Sequence, residues 1–266
     1  MKTVTPRMCI VTGATGAIGK AIARQIASVP GHSVVLVGRD EARTRQAMQE
    51  IIQTTGNEKV RYELADLSRQ ADIEALSDRW QGPLHVLVNN AAVTPRRRLE
   101  TPEGLEMQFA TNVMGYFWMT KMFEDILVDS APSRIVNVAS YWAGDLDLND
   151  LEFRRRPYKN GTAYRQSKQA NRMLTAAFSR RLSKHGIAVN VCHPGDVNSN
   201  LSNNLGFGGH ETPDQGAQTP VWLATSTAGQ TESGKYFENR QATPDRFARD
   251  VLAVEELYNT CLAHCE

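Results

Sequence analysis

Met8-Cys9-Ile10-Val11-Thr12-Gly13-Ala14-Thr15-Gly16-Ala17-Ile18-Gly19 decides the fold. Its first five residues read as a buried strand, three glycines follow within seven positions, and Lys20 to Val29 continues as a helix. Strand, glycine turn and helix start in that order build a phosphate site: unpaired amides at the helix N-terminus point at the anion, and missing side chains let it approach. A tight turn that merely uses glycine is the competing reading. The placement of all three glycines between strand and helix favours a dinucleotide site.

Downstream, further strands read at Ser33–Val37, Val60–Leu64, Leu84–Val88, Arg134–Ala139, Ile187–Cys192 and Gly234–Phe237. Between them lie helical stretches: Glu41–Thr55, one near Ser68, one long helix from Thr101 to Ser130, one carrying Tyr164 to about His185, Gln215–Ala224 and a terminal helix Pro244–Leu262. Strands that alternate with helices predict an α/β fold, a single doubly wound parallel sheet of Rossmann type with helices on both faces, spanning residues 1–266 as one domain. Residues 196–213 are polar and rich in Gly and Asn, with Leu201, Leu205 and Phe207 isolated among them, and read as a lid over a substrate.

A chain of 266 residues with 41% hydrophobic residues buries one large core. Its formal net charge of +1 recommends neither nucleic acid nor an acidic membrane as partner. Cys9, Cys192, Cys261 and Cys265 show no metal-type clustering, so no metal is expected and the compartment reads as reducing. The polar start, Met1 to Arg7, is expected to leave no room for a signal peptide or anchor, and no apolar run of membrane-spanning length follows; the expectation is a soluble, cytoplasmic protein.

The chemistry concentrates at Tyr164-Arg165-Gln166-Ser167-Lys168. A phenol and an ammonium four apart share one helix face, and the cation is expected to lower the tyrosine pKa toward the working range. The spacing alone also describes an ordinary helix surface. About 20 residues past the glycines, where an NAD site wants an acid for the ribose 2′-hydroxyl, stand Gly38 and Arg39; an arginine suits a 2′-phosphate, so NADP(H) is favoured over NAD(H), with Asp40 in the ribose role as the alternative. Asp66, at a strand end, meets an adenine or caps the next helix. Asn112 sits amid apolar helical neighbours, where it satisfies local carbonyls or holds a water. Thr94, Tyr141, Trp142 and Phe207 are candidate pocket walls for an apolar or aromatic ketone or aldehyde. Arg96-Arg97-Arg98 and Arg154-Arg155-Arg156 are either solvated loop charges or an anchor for an anionic substrate tail such as a phosphate or acyl-CoA.

Thr12 to Gly19, Asn89-Asn90-Ala91, Asn112, Ser140, Tyr164-x-x-x-Lys168 and Pro194-Gly195, in this order, resemble the short-chain dehydrogenase/reductase family over essentially the whole chain. Lys20, Gly38-Arg39-Asp40, Asp147 to Leu151, Tyr-x-Gln-Ser-Lys and Gly-Lys-Tyr-Phe resemble its retinol-dehydrogenase-like branch. The resemblance implies hydride transfer between a nicotinamide and a carbonyl/alcohol pair, with Asn112, Ser140, Tyr164 and Lys168 as the catalytic set. It assigns Gly13, Thr15, Gly16, Ile18, Gly19, Arg39, Asp66, Leu67, Asn89, Ala91, Tyr164, Lys168, Pro194, Gly195, Val197 and Ser199 to the cofactor, and implies a homodimer or homotetramer. The glycine loop departs from the family's commoner spacing, since the middle glycine is Gly16 and Ala17 takes its usual place. That spacing also resembles the sugar-nucleotide epimerases and dehydratases of the extended branch. A catalytically silent dinucleotide sensor and a protochlorophyllide-type reductase are the remaining alternatives.

Overall fold

The computed structural model describes residues 6–265. Met1 to Thr5, on which the expectation about a leader mostly falls, lie outside that range. The first half runs β1 (Arg7–Thr12), α1 (Ala17–Ala27), β2 (His32–Gly38), α2 (Glu41–Thr55), β3 (Val60–Leu64), α3 (Gln70–Asp78) and β4 (Val86–Asn89). A π-helical turn (Phe109–Met114) then leads into α4 (Gly115–Met122), α5 (Glu124–Asp129), β5 (Ser133–Val138), α6 (Asn160–Leu182) and β6 (Ile187–Cys192). The chain closes with α7 (Asn200–Leu205), α8 (Pro213–Thr225), α9 (Ala228–Thr231), β7 (Tyr236–Glu238), β8 (Gln241–Thr243) and α10 (Val251–Ala263).

The strands form one eight-stranded sheet in the order β3-β2-β1-β4-β5-β6-β7-β8. Each central strand is buried on both faces, which is why it reads as an unbroken apolar run. Alternate residues feed opposite cores: Ile10, Val35 and Val37 pack with α3 to α6 and α10, whereas Cys9, Val11, Val34 and Leu36 pack with α1, α2 and α8. The chain winds outward through β1, β2 and β3, then returns to place β4 on the other side of β1. That reversal opens a crevice at the carboxyl ends of β1 and β4, where ligands of such sheets bind.

Three expectations change. The sheet is not wholly parallel: β8 pairs antiparallel with β7 through Asn239 and Arg240, both at positive φ (49° and 64°), a tight hairpin turn that an arginine does not advertise. The long helix Thr101–Ser130 is broken. Pro102 and Gly104 (φ 84°) make a turn, Glu100 and Glu106 pair as extended chain, and the buried Glu106 carboxylate accepts the Gln108 and Phe109 amides at 2.9 and 2.7 Å to start the helical part. The terminal helix begins at Val251 instead of Pro244, with Asp250 as its cap, accepting the Ala253 amide at 3.1 Å.

Candidate active site

Thr12 ends β1, and its hydroxyl accepts the amides of Asn90 (2.8 Å) and Ala91 (3.1 Å) while donating to the Val88 carbonyl (3.3 Å). The Asn90 side chain returns a bond to the Thr12 carbonyl at 2.9 Å, so the ends of β1 and β4 are clamped at the crevice. Gly13 takes φ 63°, and a methyl group there would lie 2.7 Å from the Ala91 Cα. At Gly19 a methyl group would lie 2.3 Å from the Gly13 carbonyl oxygen and 2.6 Å from Asn90 Nδ2. Those two glycines are demanded by the fold. Gly16 is different: it is the exposed N-cap of α1 at φ −82°, with only the Gly13 carbonyl nearby at 3.3 Å. No side chain caps α1 and its first turn holds no acid, which leaves its leading amides and positive dipole end for an anion. Thr15 lies beside Gly38 at the end of β2, and Ile18 packs on the α1–α2 core. Arg39 follows β2, exposed and without a side-chain partner among the described residues, while Asp40 is committed to α2 as its N-cap through the Arg43 amide at 3.0 Å. A bare helix N-terminus and two crowded glycines at the end of β1 fit a dinucleotide, with a guanidinium unpartnered among the described residues at the end of β2.

Asp66 accepts the Ser68 amide (3.0 Å) and hydroxyl (2.8 Å), an Asx turn, and does not cap α3, whose N-cap is Arg69. Leu67 is buried in the core, with its carbonyl 2.7 Å from where a Gly115 side chain would begin. Asn89, expected at the cofactor, is fully buried; its amide donates to Asn137 Oδ1 at 3.0 Å and ties β4 to β5, because the strand pleat turns it inward.

The second group forms where β5 meets α6. Ser140 follows β5 and accepts the Trp142 amide at 3.0 Å. Tyr164, in the second turn of α6, is buried, and its phenol is near enough to the Ser140 hydroxyl for that group to favour the ionised form. Burial pushes the Tyr164 phenol up to about 12, with the neighbouring Ser140 hydroxyl pulling the other way and the Asp196 carboxylate adding to the rise. Lys168, one turn on, donates to the Val138 carbonyl at 2.9 Å, and its ammonium lies 5.3 and 5.7 Å from the Tyr116 and Tyr164 ring centres. Burial lowers Lys168 to about 7. The expected depression of the tyrosine by the lysine is therefore not what this protein displays: both groups are driven toward neutrality because dry surroundings penalise either charge.

Asn112 is also fully engaged. Its oxygen accepts the Val93 amide at 2.8 Å, and its nitrogen donates to the Val93 carbonyl at 3.0 Å and to Ser167 Oγ at 3.3 Å. It satisfies local backbone and joins the loop after β4 to α6. Tyr116, which the sequence reading passed over, donates to the same Val138 carbonyl as Lys168, at 3.1 Å. Its position four residues after Asn112 on a helical stretch was the available signal.

Around this centre, Trp142 lies 6.3 Å from the Tyr164 ring and 5.7 Å edge-on from Phe207, which is 49% exposed. Thr94 is buried, its hydroxyl without a partner among the described residues and its carbonyl accepting from Asn160 at 3.4 Å. Tyr141 stacks edge-on against His193 at 4.6 Å, with its hydroxyl 3.5 Å from Asp196. Burial lowers His193 to about 4, so it is neutral at physiological pH. The segment expected as a lid is built from hydrogen bonds: Asp196 O accepts the amides of His210 and Glu211, Ser199 forms a capping box with Ser202 at the start of α7, and Thr212 forms another with Gln215. The Ser199 hydroxyl expected at the nicotinamide end thus serves α7. Behind Pro194, the Glu211 side chain packs on Gly195 (φ 99°), and Val197 is buried opposite Glu211. Among the described residues no cluster of metal-binding side chains forms, and no helix is long and apolar enough to cross a membrane.

The family described as short chain dehydrogenase matches residues 7–207. Mouse retinol dehydrogenase 13 is 34% identical, across 96% of this chain and 83% of its own. A crystal structure of a protein from Mycobacterium paratuberculosis superposes with a TM-score of 0.80 at 26% identity, covering 97% of this chain and 93% of that one. A metagenomic short-chain oxidoreductase in complex with NADP superposes at 0.67 with 25% identity, covering 88% and 96%.

Proposed function

The chain belongs to the short-chain dehydrogenase family, in its retinol-dehydrogenase-like branch, and from that premise we propose that it is an NADP(H)-dependent oxidoreductase acting on an apolar or aromatic carbonyl and its alcohol. The observation that carries the reading is the Tyr164 phenol, buried, within the influence of the Ser140 hydroxyl and standing one turn below Lys168.

NADP(H), when bound, supplies or accepts the hydride. Gly13 to Gly19 and the leading amides of α1 would hold its phosphates, and Arg39 would hold its 2′-phosphate. Support for NADP(H) over NAD(H) comes from the unpartnered Arg39 guanidinium, from Asp40's use as a helix cap and from the NADP bound by the metagenomic neighbour. Ser140 orients the carbonyl oxygen. Tyr164 is protonated at neutral pH and donates to that oxygen in the reducing direction, as a general acid in a site from which water is excluded. Lys168, near its midpoint at neutral pH, restores the proton. Asn112 and Tyr116 fix the loop and the carbonyl that hold these groups in place.

Tyr164→Phe is expected to lower turnover of aromatic aldehydes with NADPH by about 10²–10⁴-fold while the NADPH Kd, read by fluorescence, stays within about threefold. Turnover at the parental rate would overturn the assignment. Arg39→Ala is expected to raise the KM for NADPH and leave that for NADH alone; equal effects on both would remove the 2′-phosphate reading.

A further inference from the structure

Two loops border the Trp142–Phe207 wall, residues 94–100 and 150–160. They carry seven cations, Arg96, Arg97, Arg98, Arg154, Arg155, Arg156 and Lys159, against three acids, Glu100, Asp150 and Glu152, in a chain whose net charge is +1. The structure divides the cations into two sets. Arg98 pairs with Glu100 and donates to the Glu152 carbonyl, Arg154 pairs with Glu152, and Arg156 pairs with Asp150 and Asp147. Asp150, although buried, accepts the amides of Arg154, Arg155 and Arg156, and these hold its carboxyl below the ordinary range. These bonds use up the acids of both loops. Arg96, Arg97, Arg155 and Lys159 are left exposed, with no side-chain partner among the described residues.

The two loops that carry the unpaired four are tied to each other. Tyr158 donates to the Pro95 carbonyl at 2.9 Å, and Arg98 donates to the Glu152 carbonyl at 3.0 Å. Residues 96 and 97 are therefore pinned alongside the stretch that contains Arg155. Asn160 extends the same seam inward, donating to the Thr94 carbonyl at 3.4 Å and to the Asn204 carbonyl on α7 at 3.1 Å. Lys159 is the N-cap of α6, five residues before Tyr164 and so about 7.5 Å from it along the helix axis. The buried Thr94 hydroxyl, unpartnered among the described residues, lies on this seam.

We propose that Arg96, Arg97, Arg155 and Lys159 form a rim that binds the anionic end, a carboxylate or phosphate, of a substrate whose apolar middle lies on Trp142 and Phe207 and whose carbonyl reaches Tyr164. The inference rests on the oxidoreductase reading above and names its substrate class. Like charges gathered without counter-ions repel one another, and an incoming anion relieves that repulsion while gaining its own attraction. The phosphate-binding amides of α1 lie at the end of β1, and the rim on the loops after β4 and β5, so the rim's anion is the substrate's.

The test compares octanal with 8-oxooctanoate and 8-oxooctyl phosphate. With NADPH at low salt, the anionic aldehydes are expected to have a kcat/KM at least about tenfold above that of octanal, carried by KM, and the advantage is expected to vanish at high salt. In Arg96→Glu/Arg97→Glu/Arg155→Glu, all on exposed loop positions, the ratio is expected to fall to about one with octanal turnover unchanged. Calorimetric titration of octanoate, octyl phosphate and octanol reads the rim apart from turnover, and the anions are expected to bind about tenfold tighter than octanol in the parent alone. Whichever anion binds better identifies the tail as carboxylate or phosphate. Equal affinity for octanol, or an anion preference that survives charge reversal, would overturn the proposal. Anion-selective binding with no turnover of any aldehyde would overturn the oxidoreductase reading and leave the rim standing.

Discussion

Lys168 is 2% exposed and among the described residues its ammonium has a single oxygen partner, the Val138 carbonyl. Its pKa falls from 10.5 to about 7 on folding, so between those values the unfolded chain binds more protons than the native one, and stability must rise with pH across that window. Below about pH 7 the penalty of the buried charge is felt in full. Tyr164 acts above it: raised from 10.0 to about 12, it lets the unfolded chain ionise first and erodes stability from pH 10 upward. In the cofactor-free protein, Lys168→Met is therefore expected to raise Tm by several degrees at pH 6 and to lose the advantage near pH 10, as read by scanning calorimetry; a constant offset across pH would contradict it. The glycine loop gives a second test of residue-scale chemistry. A Gly19→Ala methyl meets backbone at 2.3 Å and is expected to cost more than about 2 kcal/mol, whereas Gly16→Ala meets nothing closer than 3.3 Å and is expected to stay within about 1 kcal/mol. If Gly16→Ala nonetheless weakens NADPH binding several-fold, the pyrophosphate passes that backbone; unchanged affinity would move it elsewhere.

The π-helical turn shows what an element conceals. Phe109 to Thr120 is buried without interruption, so no polar face marks where the helix widens or where Phe123 ends α4, and periodicity alone merges the pieces. Pro102 and Gly104, by contrast, were legible breakers of the helix's first turns. Tyr164 and Lys168 were legible for the opposite reason: a four-residue step on an unbroken α6 puts both side chains on one face in any context. The side to which Asn89 points depends on the pleat and on its pairing with Asn137, which only the assembled sheet supplies. Asn112 joins these scales, because one amide replaces a strand partner for both backbone groups of Val93. Asn112→Ala is expected to destabilise the fold by about 2–4 kcal/mol in chemical denaturation, the combined effect of two unpaired backbone groups and a lost side chain. A loss below about 1 kcal/mol would mean that Val93 finds other partners.

Across the whole molecule, the sheet order gathers the ends of β1, β4, β5 and β6 at one edge, and the alternation of strands with helices already implied it. The clasp that holds the last 20 or so residues against that body was not implied. Arg172 and Asp245 are 73 residues apart and show no local pattern, yet their side chains, 6% and 8% exposed, pair at 2.9 Å. The guanidinium is also stacked 3.6 Å from the centre of the Tyr236 ring and 4.8 Å from that of Phe247, so α6, β7 and the approach to α10 meet on one cation. Removing one member leaves the other charged and dry, which costs more than the pair contributes net. Arg172→Ala is expected to cost about 3–5 kcal/mol, roughly 6–15 °C in Tm for a chain of this size. Asp245→Leu placed on Arg172→Met should recover most of the loss, since two apolar side chains satisfy the cavity without a charge. A double variant no more stable than Arg172→Ala would show that the aromatic stacking, not the ion pair, fastens the C-terminal segment.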